Sequence, residues 1–520
     1  MRTRREPDTG PDGVRPVWLA EPAGILCLIL LWASLHTGLR LSLSSTLTAD
    51  DAREAVLAQS LRWGYQARQP PLYNWLAWGA FRIVGPGLLA LTLLKYALLV
   101  LAFWLVYLTA RRIVRDPRLA ALGTCALILL LPIGWTVHEA LTHSVLVLVT
   151  CAGTVYALVR VGDNPRTLGY AGLGLAIGLG LLSKFTFIPF LAALGLAALT
   201  VPRYRQVMLD RRIVISGAVA TLLILPFAVW FMGEGHDLAR LYAREVRIEN
   251  GHTWFRSVRT GLGYILSVTV LYLAPMGLAL GVCFPAVYRR LPRDARDSAR
   301  GRLLAWLLVW MLVVFTVAAV AGGLGFLKAR WLVPTFFLAP LYGLWRAEQH
   351  GVSSRRVAAF AILLLLVEIG VIGGMALRVL GASLFRQPYR MNEPYDAIAA
   401  GLRHAGFTRG TIVAGYGTLA GNLATRFPDS RVLHTEYPDF QPAAGSPGQC
   451  LFVWDRHRSR RGRPEETGPP EDVRQYAGAL EVGLTGSEPV GMVDAPFLFD
   501  TGRIRRVYYI LLPDGAGHCR

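Results

Sequence analysis

The sequence predicts a polytopic α-helical membrane protein followed by a C-terminal soluble α/β domain. Three observations predict it. Apolar side chains make up 53% of the 520 residues and charged ones only 17%, with a mean hydropathy of +0.41. The apolar residues fall in repeated runs of about twenty, the length a helix needs to cross a hydrocarbon core. Backbone polar groups in lipid must be paired within their own segment, so helices are the expected element. After Leu380 the chain turns polar, and short β-rich runs alternate with a helical pattern.

Lysine and arginine set the expected orientation. Residues 1–22 are polar and rich in Pro and Gly, and they carry Arg2, Arg4, Arg5 and Arg15, so they read as a cytoplasmic tail. The run from Pro22 to about Leu39 is too long for a signal peptide and lacks its small-residue cleavage pattern, so it reads as a first span. A second span, about Val84 to Ala110, returns at Arg111, Arg112, Arg115 and Arg118. A third, about Leu119 to Trp135, leads to an outer loop with His138, Glu139 and His143, and a fourth ends at Arg160. "YAGLGLAIGLGLLSKFTFIPFLAALGLAALTV" reads as two short spans with Lys184 at the outer turn, exiting at Arg203, Arg205, Arg211 and Arg212. A span over Ile213–Met232 opens on a polar loop, Gly233 to Thr260, in which Arg244, Glu245, Arg247, Glu249 and His252 fit a solvated amphipathic helix or a flap over a site. Later spans return at Arg289, Arg290, Arg293 and Arg296, cross to the outer "GGLGFLKARW", return near Arg346, Arg355 and Arg356, and end with Val357–Leu380. The sum is about eleven spans over residues 23–380, with every large arginine cluster on one side and the tail, residues 381–520, on the other.

The net charge of +20 follows from those loops. Nothing resembles a basic soluble domain with interleaved aromatics, so no nucleic-acid partner is expected. Cys27, Cys125, Cys151 and Cys283 lie in or beside apolar runs and read as packing residues. Cys450 and Cys519 lie in the tail, where they can pair if the tail is extracytoplasmic. No cysteine spacing has a metal-ligand pattern, and the sequence leaves metal dependence open. Within the tail, "TIVAGYG", "RVLHT", "CLFVWD" and "RVYYILLP" read as strands and "TLAGNLATRF" as a helix.

The first outer segment, "LTADDAREAVLAQSLRWGYQARQPPLYNWL", places Asp50, Asp51 and Glu54 just beyond the first span. Thr48 or Asp50 is a sound N-cap for a helix over Asp51–Leu61, and acids in a first turn suit the helix dipole. Gln69 precedes two prolines that force an extended turn, and Trp75 and Trp78 suit interface depth, so the segment is expected to pack on the membrane surface. A second reading is a site that joins a general base to an anion-binding group. His138, Glu139, His143, Lys184, Lys328 and Arg330 share that membrane face.

An Asp-acid-Ala-polar run, then "WGY", then "PPLYNW", resembles the first external loop of the GT-C glycosyltransferases. More narrowly it resembles family 39-type enzymes, relatives of the protein O-mannosyltransferases and the lipid A aminoarabinose transferases. "LTHSVLVLV", "LLSKFTFIP" and "FLKARWLVP" resemble later family segments, so the likeness covers about residues 23 to 345. The resemblance implies a GT-C fold and transfer of a sugar from a polyprenyl-phosphate carrier to a lipid, glycan or protein acceptor at the periplasmic face of a bacterial inner membrane. It places Asp50 as the catalytic base and Asp51 as the adjacent acid. Gln69 stands where relatives often carry Lys, and Ser144 follows His143 where many carry Asp.

Such chemistry needs a carboxylate to deprotonate the acceptor hydroxyl, and cations to steady the departing phosphate. Lys184 and Arg330 are the candidate cations, and direct displacement with one base inverts the anomeric centre. Plainer roles exist for each residue. Lys184 can snorkel from a helix end, and Arg330 can anchor at the interface. His138 and His143 can be structural, Glu139 can cap a helix, and Glu54 can either raise the pKa of Asp50 or be solvated. The rival class is a lipid or glycolipid flippase without catalysis. It predicts internal repeats and ionisable groups at mid-membrane, whereas the charges in this sequence fall at span boundaries.

Overall fold

Long apolar runs become helices up to Leu380, and a mixed sheet follows them. The computed structural model describes residues 21–234, 254–323, 329–437, 440, 442, 448–455, 468–484 and 486–513. The helices are α1 (Pro22–Leu43), α2 (Ala49–Leu57), α3 (Leu72–Val84), α4 (Leu88–Ile113), α5 (Pro117–Cys125), α6 (Thr142–Asp163), α7 (Thr167–Ser183), α8 (Phe187–Thr200), α9 (Pro202–Leu209), α10 (Ile213–Gly233), α11 (Trp254–Cys283), α12 (Ala299–Gly322), α13 (Ala339–Gln349) and α14 (Ser354–Leu380). The tail adds α15 (Tyr395–His404), α16 (Gly417–Arg426) and α17 (Glu471–Ala479). Its strands are β1 (Gly410–Ala414), β2 (Arg431–His434), β3 (Gln449–Asp455), β4 (Gly491–Phe497) and β5 (Asp500–Leu512).

Among the described residues, seven helices are individually long and apolar enough to cross a membrane: α1, α4, α6, α10, α11, α12 and α14. Two bent pairs raise the number to nine. Pro117–Leu129 meets Pro132–Glu139 at 73°, and α8 meets α9 at 113°. The expectation of about eleven also counts α7, a shorter apolar helix, and the segment after Leu332, which folds as short pieces rather than one span. Prolines 132, 202, 334 and 340 sit at the starts of these pieces, where a missing N–H is tolerated and a continuing helix is not.

The break expected at Lys184 is present. α7 ends at Ser183, Lys184 is extended (φ −168°, ψ 143°), and α8 starts at Phe187. Glycines in "GLGLAIGLG" set the neighbouring contact. A Cβ at Gly174 would lie 2.5 Å from the Ser216 carbonyl oxygen, and one at Gly178 would lie 2.7 Å from the Leu223 side chain and 3.1 Å from Ala220 Cα. Small residues four apart on both α7 and α10 thus let the two backbones approach, the usual device for packing helices in lipid.

Three arginine-bearing segments converge on one aspartate. Asp163, at the end of α6, pairs with Arg112 (2.9 Å), Arg203 (2.9 Å) and Arg300 (2.7 Å) from three separate segments. α6 has 22 residues, about 33 Å at 1.5 Å per residue, close to a hydrocarbon thickness. Its other end, at Leu141, therefore lies on the opposite face.

The sheet order is β2-β1-β3-β5-β4, with β1 parallel to β2 and β3, and β5 antiparallel to β3 and β4. All five residues of β1 are buried, as expected for an interior parallel strand. The expected strands and α16 are present; β4, α15 and α17 are additional. Cys450 is disulfide-bonded, while Cys151 and Cys283 are buried thiols, Cys125 is partly buried and Cys27 is exposed. Cys27 is thus not the packing residue expected. The N-terminal arginines, the 235–253 part of the polar loop, Lys328 and Cys519 lie outside the described residues.

Replacing Gly178 with Leu forces α7 away from α10. We expect a loss of about 1–3 kcal/mol, the usual effect of overpacking, read as a lower thermal midpoint in detergent; an unchanged midpoint would contradict the contact.

Candidate active site

The helix expected over Asp51–Leu61 forms over Ala49–Leu57 instead. Thr48 occupies the N-cap position, but its hydroxyl donates to Asp51 Oδ2 (3.0 Å) and caps no backbone N–H. Asp50 lies within the first turn and is not the cap, so its carboxylate is available for other contacts.

Those contacts are polar and positive. Arg330 Nη1 lies 3.3 Å from each carboxylate oxygen of Asp50, and the Leu141 N–H donates to Oδ2 at 3.2 Å. Leu141 is left-handed (φ 72°, ψ 70°), a conformation that costs a non-glycine residue about 1–2 kcal/mol. It stands at the N-cap of α6, where helix N–H groups are unpaired and the macrodipole is positive. Such a conformation persists only where the surrounding structure over-determines it. Burial pushes the Asp50 carboxyl up, but Arg330, Arg53, the Leu141 N–H and Lys184 outweigh it and hold it below the usual carboxylate range.

Beside Asp50 runs a buried polar chain. Glu54, 1% exposed, accepts from Asn74 Nδ2 at 2.5 Å and meets His143 Nε2 at 3.2 Å, while His143 Nδ1 lies 3.2 Å from the Ser183 carbonyl oxygen. Glu54 is therefore not solvated; its partners fix the start of α6 against α2. Lys184 is buried and donates from Nζ to Ser144 Oγ at 2.6 Å. A serine at 144 adds no negative charge at that contact, where an acid would. The Tyr73 ring tilts over His143 at 5.2 Å, and burial followed by Asp51, Glu54 and Asp50 pushes its phenol well up, so it stays a hydroxyl.

Several sequence candidates lie elsewhere. Asp51, expected beside Asp50 as an acid at the reaction centre, is 3% exposed and turns into the bundle, where Lys95 Nζ lies 3.2 Å away. Successive helical residues point about 100° apart, and the two aspartates accordingly have different partners. His138 bonds Tyr96 (2.9 Å) and stacks on His36 at 3.9 Å; His36 in turn meets Glu368 at 2.5 Å. Lys95, His36 and Glu368 lie within spans, so the charges are not confined to boundaries as the sequence suggests. Glu139 accepts from the Tyr389 hydroxyl (2.9 Å) and lies 3.7 Å from Arg378, joining the outer loop to the start of the tail. Gln69 bridges to Gln66, and its Oε1 is buried without a partner among the described residues. Among those residues no group of three or more His, Cys, Asp or Glu is arranged to hold a metal.

Three groups at the site escaped the sequence reading. Arg53 lies one turn from Asp50 on α2, and its charge interacts with Asp50 and Glu54; that spacing was legible. Asn74 follows the Pro-Pro turn but carries no signal of its own. The Leu141 N–H has none, since every non-proline residue has one.

Residues 68–230 match the family model described as dolichyl-phosphate-mannose-protein mannosyltransferase. Over 483 residues the chain is 31% identical to the lipopolysaccharide core galacturonosyltransferase RgtB of Rhizobium johnstonii, covering 92% of this chain and 95% of that one. The chain belongs to this family of GT-C glycosyltransferases. The glycosyltransferase is also 29% identical to lipopolysaccharide core galacturonosyltransferase RgtA of the same organism, covering 92% and 94% of the two chains. ArnT from Cupriavidus metallidurans, crystallised with undecaprenyl phosphate, matches with a TM-score of 0.59 and 13% identity, over 94% of this chain and 98% of that one. At that identity the likeness is one of fold. It bears out the expected architecture of a helical membrane domain with a small sheet domain at its C-terminus.

Glu54→Ala in the glycosyltransferase leaves Asn74 Nδ2 and His143 Nε2 without that partner in a buried site. We expect a loss of about 1–3 kcal/mol for each orphaned group, seen as a lower thermal midpoint, with Glu54→Gln keeping the Asn74 bond and falling between the two. Equal midpoints for all three proteins would contradict the pairing.

Proposed function

We propose that this glycosyltransferase moves a uronic acid sugar from a polyprenyl-phosphate carrier to a hydroxyl of a lipopolysaccharide core, at the periplasmic face. The observation that carries the reading is the Asp50 carboxylate held against Arg330 and the start of α6, at the end of that helix opposite the arginine hub on Asp163. The names of the relatives over nine-tenths of the chain support a galacturonosyl donor and a lipopolysaccharide acceptor. The arginine clusters support a cytoplasmic start and a tail outside. The disulfide at Cys450 supports an oxidising compartment for the domain after residue 381.

Asp50 is the general base. In the resting site its low pKa makes it a weak one, since Arg330 neutralises it. The donor changes this balance. Its phosphodiester draws Arg330 and Lys184 as charge-assisted donors, and its negative charge sits near Asp50. Both effects raise the carboxylate's basicity when the acceptor arrives. The acceptor hydroxyl oxygen then bonds to the anomeric carbon as the carbon–oxygen bond to phosphate breaks, with inversion. Its proton passes to Asp50, and polyprenyl phosphate leaves with the bond electrons. The cations stabilise charge that builds on the leaving phosphate, the kind of preorganised electrostatic aid that matters most in a partly dry site. Arg53, whose charge acts on Asp50, is our candidate to meet the second negative charge, the uronate carboxylate.

Asp50→Asn keeps the shape and removes the base. We expect kcat to fall about 10²–10⁴-fold while undecaprenyl phosphate still binds; transfer at the wild-type rate would refute the assignment. Wild-type kcat/KM measured without donor saturation should hold down to pH values below the ordinary carboxylate range and fall only as Asp50 protonates. A fall centred at or above the ordinary range would contradict the cationic surroundings.

A further inference from the structure

A nine-residue helix is too short to hold its own shape or direction in water, so packing must set where α2 points. The membrane domain supplies only one side of that packing. The other side is α16 of the tail, and the contact is at backbone distance: a Cβ on Gly421 would lie 1.9 Å from the Ala52 carbonyl oxygen.

Two amide clamps flank this contact. At the entry to α2, the fully buried Asn422 side chain takes both backbone groups of Leu47. The Leu47 N–H donates to Asn422 Oδ1 at 2.8 Å, and Asn422 Nδ2 donates to the Leu47 carbonyl at 3.0 Å. Asn422 is itself held by the Thr418 carbonyl (2.8 Å) and by Arg426 (3.1 Å). Just past the exit of α2, Gln59 mirrors the arrangement on the edge strand β2, donating to the Val432 carbonyl at 2.8 Å and accepting from the Val432 N–H at 2.9 Å. The residues leading into α2 are tied to the tail as well. Thr46 donates to the Glu393 carbonyl at 2.7 Å, and Ser44 donates to the Met391 carbonyl.

We infer that the soluble domain is a positioning device for the base, and that Asn422 is the positioning residue through which it sets Asp50 against Arg330 and Leu141. Asn422 touches neither donor nor acceptor; it acts three residues away, through the backbone of Leu47. A two-point amide clamp fixes direction as well as distance, which a single hydrogen bond or an apolar contact would not. Displacement of a reacting group by about 1 Å can lower a rate about 10²-fold, so the clamp acts on the chemical step more than on donor binding. The inference rests on the reading of Asp50 as the base.

The test uses the full-length protein in nanodiscs. Asn422→Asp keeps an acceptor for the Leu47 N–H and loses the donor, and Gln59→Ala opens the other clamp at a half-buried site where folding is less exposed to the change. Asn422→Ala opens the first clamp fully. We expect kcat per folded enzyme to fall about 10–100-fold in Asn422→Ala and less in Asn422→Asp, with the donor KM within about twofold. The acid limb of the pH profile should also move to higher pH in Asn422→Ala and Gln59→Ala. Asp50 would then sit further from Arg330, Lys184, Tyr73 on α3 and the Leu141 N–H, while Arg53, on its own helix, moves with it. A merely structural role lowers the amount of active protein and leaves that limb in place. Wild-type kcat and an unmoved acid limb in Asn422→Asp and Gln59→Ala would overturn the inference. If Asp50→Asn is inactive in the same assay while these variants are normal, only the positioning role fails. If Asp50→Asn is fully active, the base assignment falls and this inference with it.

Discussion

The pairing of Asp50 with Arg330, closed on its other side by the Leu141 N–H, is the contact on which the functional geometry depends. It joins three pieces of chain that are far apart in sequence: the segment after α1, the N-terminus of α6 and the short turn at Ala329–Leu332. Each piece arrives there for a separate reason. α6 is anchored at its far end by Asp163 and three arginines, so its N-terminus is held at the opposite membrane face. α2 is pressed between the membrane domain and α16. The left-handed Leu141 aims one backbone donor at the carboxylate, a local strain that the surrounding packing sustains.

The electrostatics follow from that geometry. Asp50 has cationic neighbours on several sides, and its own charge cancels only part of theirs. Glu54 is not among the charges that shift Asp50; Asn74 and His143 hold it in a buried polar chain beside that carboxylate. Ser144 fits the same logic: its neutral oxygen on Lys184 adds no further negative charge beside Asp50. The site in its resting form thus carries cationic groups on more than one side of the Asp50 carboxylate.

Much of this was legible in the sequence, and the parts that were not have physical causes. The membrane class, the break at Lys184 and the main strands of the tail follow from runs of apolar residues and their interruptions, which are local properties. Span counting was less secure because proline at the start of a piece bends or splits an apolar run that composition alone reads as continuous. Asp50 and Arg330 could be named from residue type and face, but their contact could not, since 280 residues separate them. Asp51 reads in the sequence as the acid adjacent to Asp50. One residue of helical rotation turns it toward Lys95, a partner buried within a span. His138 and Glu139 shared the expected loop with His143, yet the bend of the preceding helix pair sends them to Tyr96 and Tyr389. The clamp at Leu47 was invisible, because its groups are backbone atoms met by an asparagine 375 residues later.

The most direct measurement is the ionisation of Asp50 itself, followed by carbon NMR of labelled aspartate in nanodiscs and assigned with Asp50→Asn, with and without undecaprenyl phosphate. The account predicts a carboxyl that titrates below the ordinary range in the empty protein and moves upward when the lipid phosphate draws Arg330 away. An ordinary pKa that does not respond to the lipid would contradict it.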